Sequence, residues 1–69
     1  MSRYPILIAP TSTGFSAHVP DLPGCVATGR TLQETRRRMA KAIEMHLAAM
    51  RKDGDEIPGP SRVELVEVA

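Results

Sequence analysis

From Leu32 to Asp53 the chain contains neither glycine nor proline, and no other part of the sequence runs so far without a break. Thr31 stands in front of that run as an N-cap. Glu34 follows three residues later, the spacing of a T-x-x-E capping box. Gly54 is placed to close the far end in the left-handed conformation. At about 100° per residue, Leu32, Met39, Ile43, Leu47 and Met50 fall on one stripe. Thr35 and His46 lie at its margin, and Arg37, Lys41, Glu44 and Ala48 lie opposite. The pattern predicts one long helix that must bury a single face. In a chain of 69 residues it takes up so much length that the rest can supply only short strands to cover that face.

The flanking segments read as those strands. In residues 3–9, Tyr4, Ile6 and Ile8 share one face, while Pro5, Leu7 and Ala9 share the other. Pro5 has no N–H, so the strand is expected to be an edge there or to start nearby. Pro10 to Gly14 is a turn, and in residues 15–19 Phe15, Ala17 and Val19 alternate with Ser16 and His18. Pro20-Asp21-Leu22-Pro23-Gly24 is dense in turn formers, and residues 25–28 make a third short strand ending at Gly29. After the helix, a loop with two prolines leads to a fourth strand over 62–68. There the apolar positions switch from Val63 and Leu65 to Val66 and Val68, so a bulge or burial on both faces is expected. The fold class is α+β, a three-stranded antiparallel meander with one long helix and a C-terminal strand, β-β-β-α-β. One domain spans 1–69.

A chain this short buries only about 60% of the surface its unfolded form exposes. One cysteine rules out a disulfide framework. Cys25, His18 and His46 match no zinc spacing, so no metal is expected. The only aromatic residues are Tyr4 and Phe15. Self-association or a partner is the remaining route to stability at this size. No segment approaches the length of a membrane span, and the lone cysteine fits a reducing cytoplasm.

The net charge of +1 is unevenly spread. Residues 30–41 carry Arg30, Arg36, Arg37, Arg38 and Lys41 against Glu34, a net +4. Residues 55–69 carry Arg62 against Asp55, Glu56, Glu64 and Glu67, a net −3. That polarity suits contact between copies or with a charged partner. Arg36 and Arg37 sit near the positive end of the helix dipole, and Arg36 falls inside the apolar stripe, both against local physics. With Glu64, Val66, Glu67 and Val68 they form the candidate oligomer or partner interface.

Catalytic chemistry finds little support. No elbow or papain-like sequence surrounds Ser12, Ser16 or Cys25, and no glycine-rich phosphate loop occurs, so no cofactor is expected. Strands one and two carry no carboxylate, which leaves a metal-dependent nuclease without its acids. Asp21 is read as an Asx-type turn residue, Cys25 as a small buried hydrophobe, and His18 and His46 as packed or solvated. The basic cluster lacks interleaved aromatics, so direct nucleic-acid binding is not expected.

The run Val19-Pro20-Asp21-Leu22-Pro23-Gly24-Cys25, then Thr28-Gly29, then Thr31-Leu32-Gln33-Glu34 resembles the HicB-like antitoxin family. Ile57-Pro58, with Pro60-Ser61, resembles that family's I-P-x-P-S segment, and the likeness extends over roughly residues 4–68. Thr35 stands where the family usually has Ala. The resemblance implies a partial RNase H-like fold without catalytic carboxylates, with Pro20 to Cys25 and Gly29 in structural roles. It implies a non-catalytic antitoxin of a type II toxin-antitoxin system, forming dimers or tetramers and neutralising a small HicA-like mRNA interferase. Many members add a DNA-binding domain, and none is expected within these residues. The alternative is an orphan homo-oligomer without a cognate toxin.

Overall fold

A computed structural model describes residues 2–69. Three strands, β1 (Leu7–Pro10), β2 (Phe15–His18) and β3 (Val26–Gly29), precede one helix, α1 (Leu32–Asp53). The sheet is antiparallel throughout, in the order β1-β2-β3. Ile8 pairs with Ala17, and Ala17 with Ala27, so one row of side chains runs straight across all three strands.

Each strand forms where its neighbours permit. The first was expected over 3–9 but begins at Leu7, because Pro5 offers no N–H to a ladder. Tyr4 and Ile6 nevertheless share a face with Ile8, as their alternation leads one to expect, and all three pack against the core. The β1–β2 turn closes with the Thr11 N–H donating to the Gly14 carbonyl at 2.8 Å. The longer β2–β3 connection is held by its own backbone. Val19 N donates to Cys25 O, Leu22 N to Val19 O, and Cys25 N to Leu22 O, all at 3.1 Å.

The helix starts and stops on the residues its sequence marks. Glu34 N donates to Thr31 Oγ1 at 3.0 Å. The returning arm of the box lands one residue early, with the Arg30 N–H donating to Glu34 Oε1 at 3.2 Å. At the other end Gly54 has φ 75°. Its N–H donates to Arg51 O and that of Asp55 to Met50 O, the paired bonds of a Schellman motif.

The core comprises Ala17, Val19, Leu22, Cys25 and Met39, with Ile43, Leu47 and Met50 closing it from the helix side. The buried face of α1 differs from the expected stripe at its start. Leu32 is exposed, and Thr35, expected at the margin, is fully buried. The cause lies in Gly29. A Cβ there would stand 2.8 Å from Thr35 N, so the missing side chain lets the first turn of the helix settle against the end of β3. Thr35 takes its hydroxyl into that seam without penalty, because Oγ1 donates to Thr31 O at 2.7 Å.

The expected fourth strand is not formed. Residues 55–69 carry no helix or strand, and 62–68 have no neighbouring strand to hydrogen-bond. The bulge expected near Leu65 and Val66 therefore has nothing to form against. Val63, Leu65, Val66 and Val68 are all exposed.

Candidate partner-binding surface

The turn at 20–25 is a small structural unit in its own right. Leu22 is fully buried and Cys25 nearly so, while Pro20, Pro23 and Gly24 lie on the surface. Gly24 has φ 84°, a conformation that any side chain would strain. Cys25 is a free thiol, and burial pushes its pKa up, away from the reactive thiolate. Asp21 does not act as the local Asx turn expected from its sequence, since the residue two positions on is Pro23, which has no N–H to donate, and the Leu22 and Cys25 N–H groups bond to backbone carbonyls. Its carboxylate instead reaches 40 residues along the chain. Oδ2 accepts from Ser61 N at 2.8 Å, and Oδ1 accepts a short hydrogen bond from Ser61 Oγ. Those two bonds, the hydroxyl's first, hold the Asp21 carboxyl below its ordinary pKa.

A second long-range bond fixes the same segment. Tyr4 Oη donates to the Pro58 carbonyl at 2.6 Å. Tyr4 and Asp21 thus hold the Pro58–Ser61 stretch at the end of the sheet where β1 begins and β2 ends. Sequence reasoning missed both roles. The signal lay in the pairing of the P-D-L-P-G-C turn with the I-P-x-P-S stretch, which reads as two motifs but forms one contact.

The remaining candidate residues stay apart. Arg36 and Arg37 are exposed on α1. Arg36 escapes the apolar stripe and borders a shallow groove floored by Tyr4, Ile6, Ala40 and Ile43. The groove continues along the helix, where it is lined by Leu47, Glu44 and Arg51 and has a volume of about 550 Å³. Glu64, Val66, Glu67 and Val68 are exposed on the final segment. Glu64 pairs only with Arg62, at 2.8 Å. Arg38 pairs with Glu34 at 3.3 Å and donates to the Thr28 carbonyl of β3 at 3.1 Å. Among the described residues no ion pair joins the basic helix to the acidic tail.

His18 is exposed and His46 half-buried beside Ala42, Met45 and Cys25. Among the described residues no group of three or more His, Cys, Asp or Glu is arranged to hold a metal ion. Among the described residues no helix is long and apolar enough to cross a membrane. The surface offers an open sheet edge, an apolar groove with arginines at its rim, and an extended segment rooted by two side chains. Each is a surface along which another chain can lie.

Known proteins bear directly on that reading. The model of the HicB-like antitoxins of bacterial toxin-antitoxin systems matches residues 4–69. The chain belongs to the HicB-like antitoxin family. Relatives include a 14.9 kDa protein from the rep-hol intergenic region of Haemophilus phage HP1, 38% identical over 61 residues. That match takes in 88% of this chain and 46% of the phage protein, so the chain spans under half the phage protein's length. A UPF0150 protein of Thermoplasma acidophilum is 28% identical over 91% of this chain and 93% of its own. Among solved structures, a chain of the HicA3 and HicB3 toxin-antitoxin complex superimposes with a TM-score of 0.75 at 32% identity. The superposition covers 87% of this chain and 70% of that one. The α+β architecture of three antiparallel strands and a long helix is therefore that of a HicB-like protein.

Proposed function

We propose that this HicB-like protein is a non-catalytic antitoxin that binds and neutralises a small HicA-like mRNA interferase. The observation that carries the reading is the 32% identity and close superposition on a chain from the HicA3 and HicB3 complex. The surface supports it, since an open edge and a rimmed groove are means of covering a partner rather than of transforming a substrate. The protein works in the cytoplasm, and no operator-binding role is assigned to residues 1–69. Pro20, Asp21, Leu22, Pro23, Gly24, Cys25 and Gly29 serve the fold. Arg36, Arg37, Glu64, Val66, Glu67 and Val68 serve contact with toxin or with further copies, in a dimer or tetramer.

Co-expression with the product of a neighbouring reading frame for a small basic protein tests the reading. A stable co-purifying complex and restored growth are expected. Growth arrest that persists in the presence of soluble antitoxin, with no complex recovered, would sink it and favour an orphan homo-oligomer. Catalysis is tested separately, by metal-supplemented RNA and DNA cleavage with the wild type and Asp21→Asn. No cleavage by either protein is expected, and cleavage by the wild type that the variant lacks would overturn the non-catalytic assignment.

A further inference from the structure

Residues 62–68 carry the apolar pattern of a strand but pair with no sheet. Leu65 is 95% exposed, Val68 84% and Val66 81%. The segment is nevertheless not loose at its base, because Tyr4 and Asp21 hold Pro58 and Ser61. The chain's radius of gyration is 13.4 Å, against about 11 Å for a compact domain of this length. The 22-residue helix, about 33 Å long, and the exposed tail both contribute to the excess.

The body carries an opening of matching kind. β1 pairs only with β2, so its other edge is free. The inward face beside it is incompletely covered, leaving the groove between residues 4–6 and α1. The opposite edge is less available, since Arg38 already occupies the Thr28 carbonyl of β3. A strand laid along β1 would turn every second side chain into the groove. Either row brings one carboxylate with its apolar residues: Glu67 with Val63 and Leu65, or Glu64 with Val66 and Val68. Arg36 and Arg51 at the rim answer either one, although Glu44 also stands on the groove wall.

The chain's own tail is poorly directed for this position. Pro58 lies by Tyr4, just ahead of β1, and Ser61 lies by Asp21, in the β2–β3 connection. Between these anchors the chain runs from Tyr4 toward the β2–β3 connection, and so away from its own β1 edge. We propose that residues 62–68 of one copy add as a strand to the open β1 edge of a second copy, with one apolar row filling the groove between residues 4–6 and α1. Reciprocal exchange of the two tails gives a closed dimer. The proposal specifies the self-assembly left open above and does not depend on a toxin.

Light scattering of the wild type and of Val66→Pro at micromolar concentration tests the exchange. The proline removes an N–H from the added strand and sits where no core contact can be lost. The wild type is expected at twice the 7.5 kDa chain mass and the variant at one times that mass, with equal helical circular dichroism. Hydrogen exchange locates the contact. Amides of β1 that do not face β2 are expected to exchange about tenfold or more faster in the variant. A monomeric wild type, a variant that remains dimeric, or β1 amides that exchange alike in both would each overturn the proposal. Protection of the β1 edge only on addition of a HicA-like toxin would overturn it too, by assigning the edge to the toxin. Failure of growth rescue leaves the dimer result untouched, so the two readings fail separately.

Discussion

The seam between β3 and α1 and the tail after Gly54 are positioned by opposite means. In the seam, backbone meets backbone. Gly29 lies against the start of α1, and a Cβ on Gly14 would meet Arg30 Cα at 2.8 Å and clash with the Gly29 carbonyl. Those contacts leave no room for adjustment. Past the bond from Asp55 N to Met50 O, the tail is held by three hydrogen bonds to two side chains, Tyr4 and Asp21, and among the described residues no hydrogen bond or ion pair joins residues 62–69 to the rest of the chain. Close contact is concentrated where the fold is specified, and exposure on the segment proposed to meet a second chain.

Substitutions that load the two regions unequally can break this comparison. Gly29→Ala should be the most damaging, because its Cβ can be accommodated only by lifting the first turn of α1 off the sheet. A loss of about 3 kcal/mol or more is expected, read by urea unfolding. A cost below about 0.5 kcal/mol would show that the seam yields and the contrast is false. Leu22→Ala empties a fully buried position in the motif turn and should cost about 2–4 kcal/mol in the same assay. Thr31→Ala removes the cap and should cost about 1 kcal/mol, with helix fraying from its first turn visible by hydrogen exchange.

Tyr4→Phe removes the donor to Pro58 and leaves the ring, so unfolding should shift by less than about 1 kcal/mol. Its effect should appear instead as faster exchange at the Ser61 amide and weaker self-association. Acid should act on the same root. The Asp21 carboxyl is held below its ordinary value by Ser61, so its contribution is complete above the unfolded value of 3.8 and fades as pH falls through the lowered folded value. NMR titration should show the Ser61 amide losing its bond only below about pH 4. Loss of the bond nearer neutrality would mean that Asp21 is not its acceptor.

Much of the architecture was legible because short-range rules fix it. Thr31, Glu34 and Gly54 bound the helix through contacts within a few residues, and period-two alternation marked β1 and β2. The first strand came out shorter than its pattern because alternation reports facing, whereas pairing also needs the N–H that Pro5 lacks. Thr35 and Leu32 exchanged roles because the wheel cannot register how closely Gly29 allows one turn to approach. Asp21 misled for a related reason. Its neighbours in sequence suggest a local turn, yet its carboxylate accepts from Ser61, a donor that comes within reach only once the sheet and helix are assembled. The fourth strand is legible as a pattern but lacks a neighbour within the chain, since alternation describes one strand and a sheet takes two.

The root contacts also carry a consequence for the timing of biogenesis. They join residues 40 and 54 positions apart, so their loop-closure cost is met only after the hairpins and helix have formed. A nascent or misfolded chain therefore has the apolar residues of the tail but nothing to orient them. Only a chain that has finished folding can offer the tail at a defined angle, so the strand exchange proposed above would be open to completed domains alone.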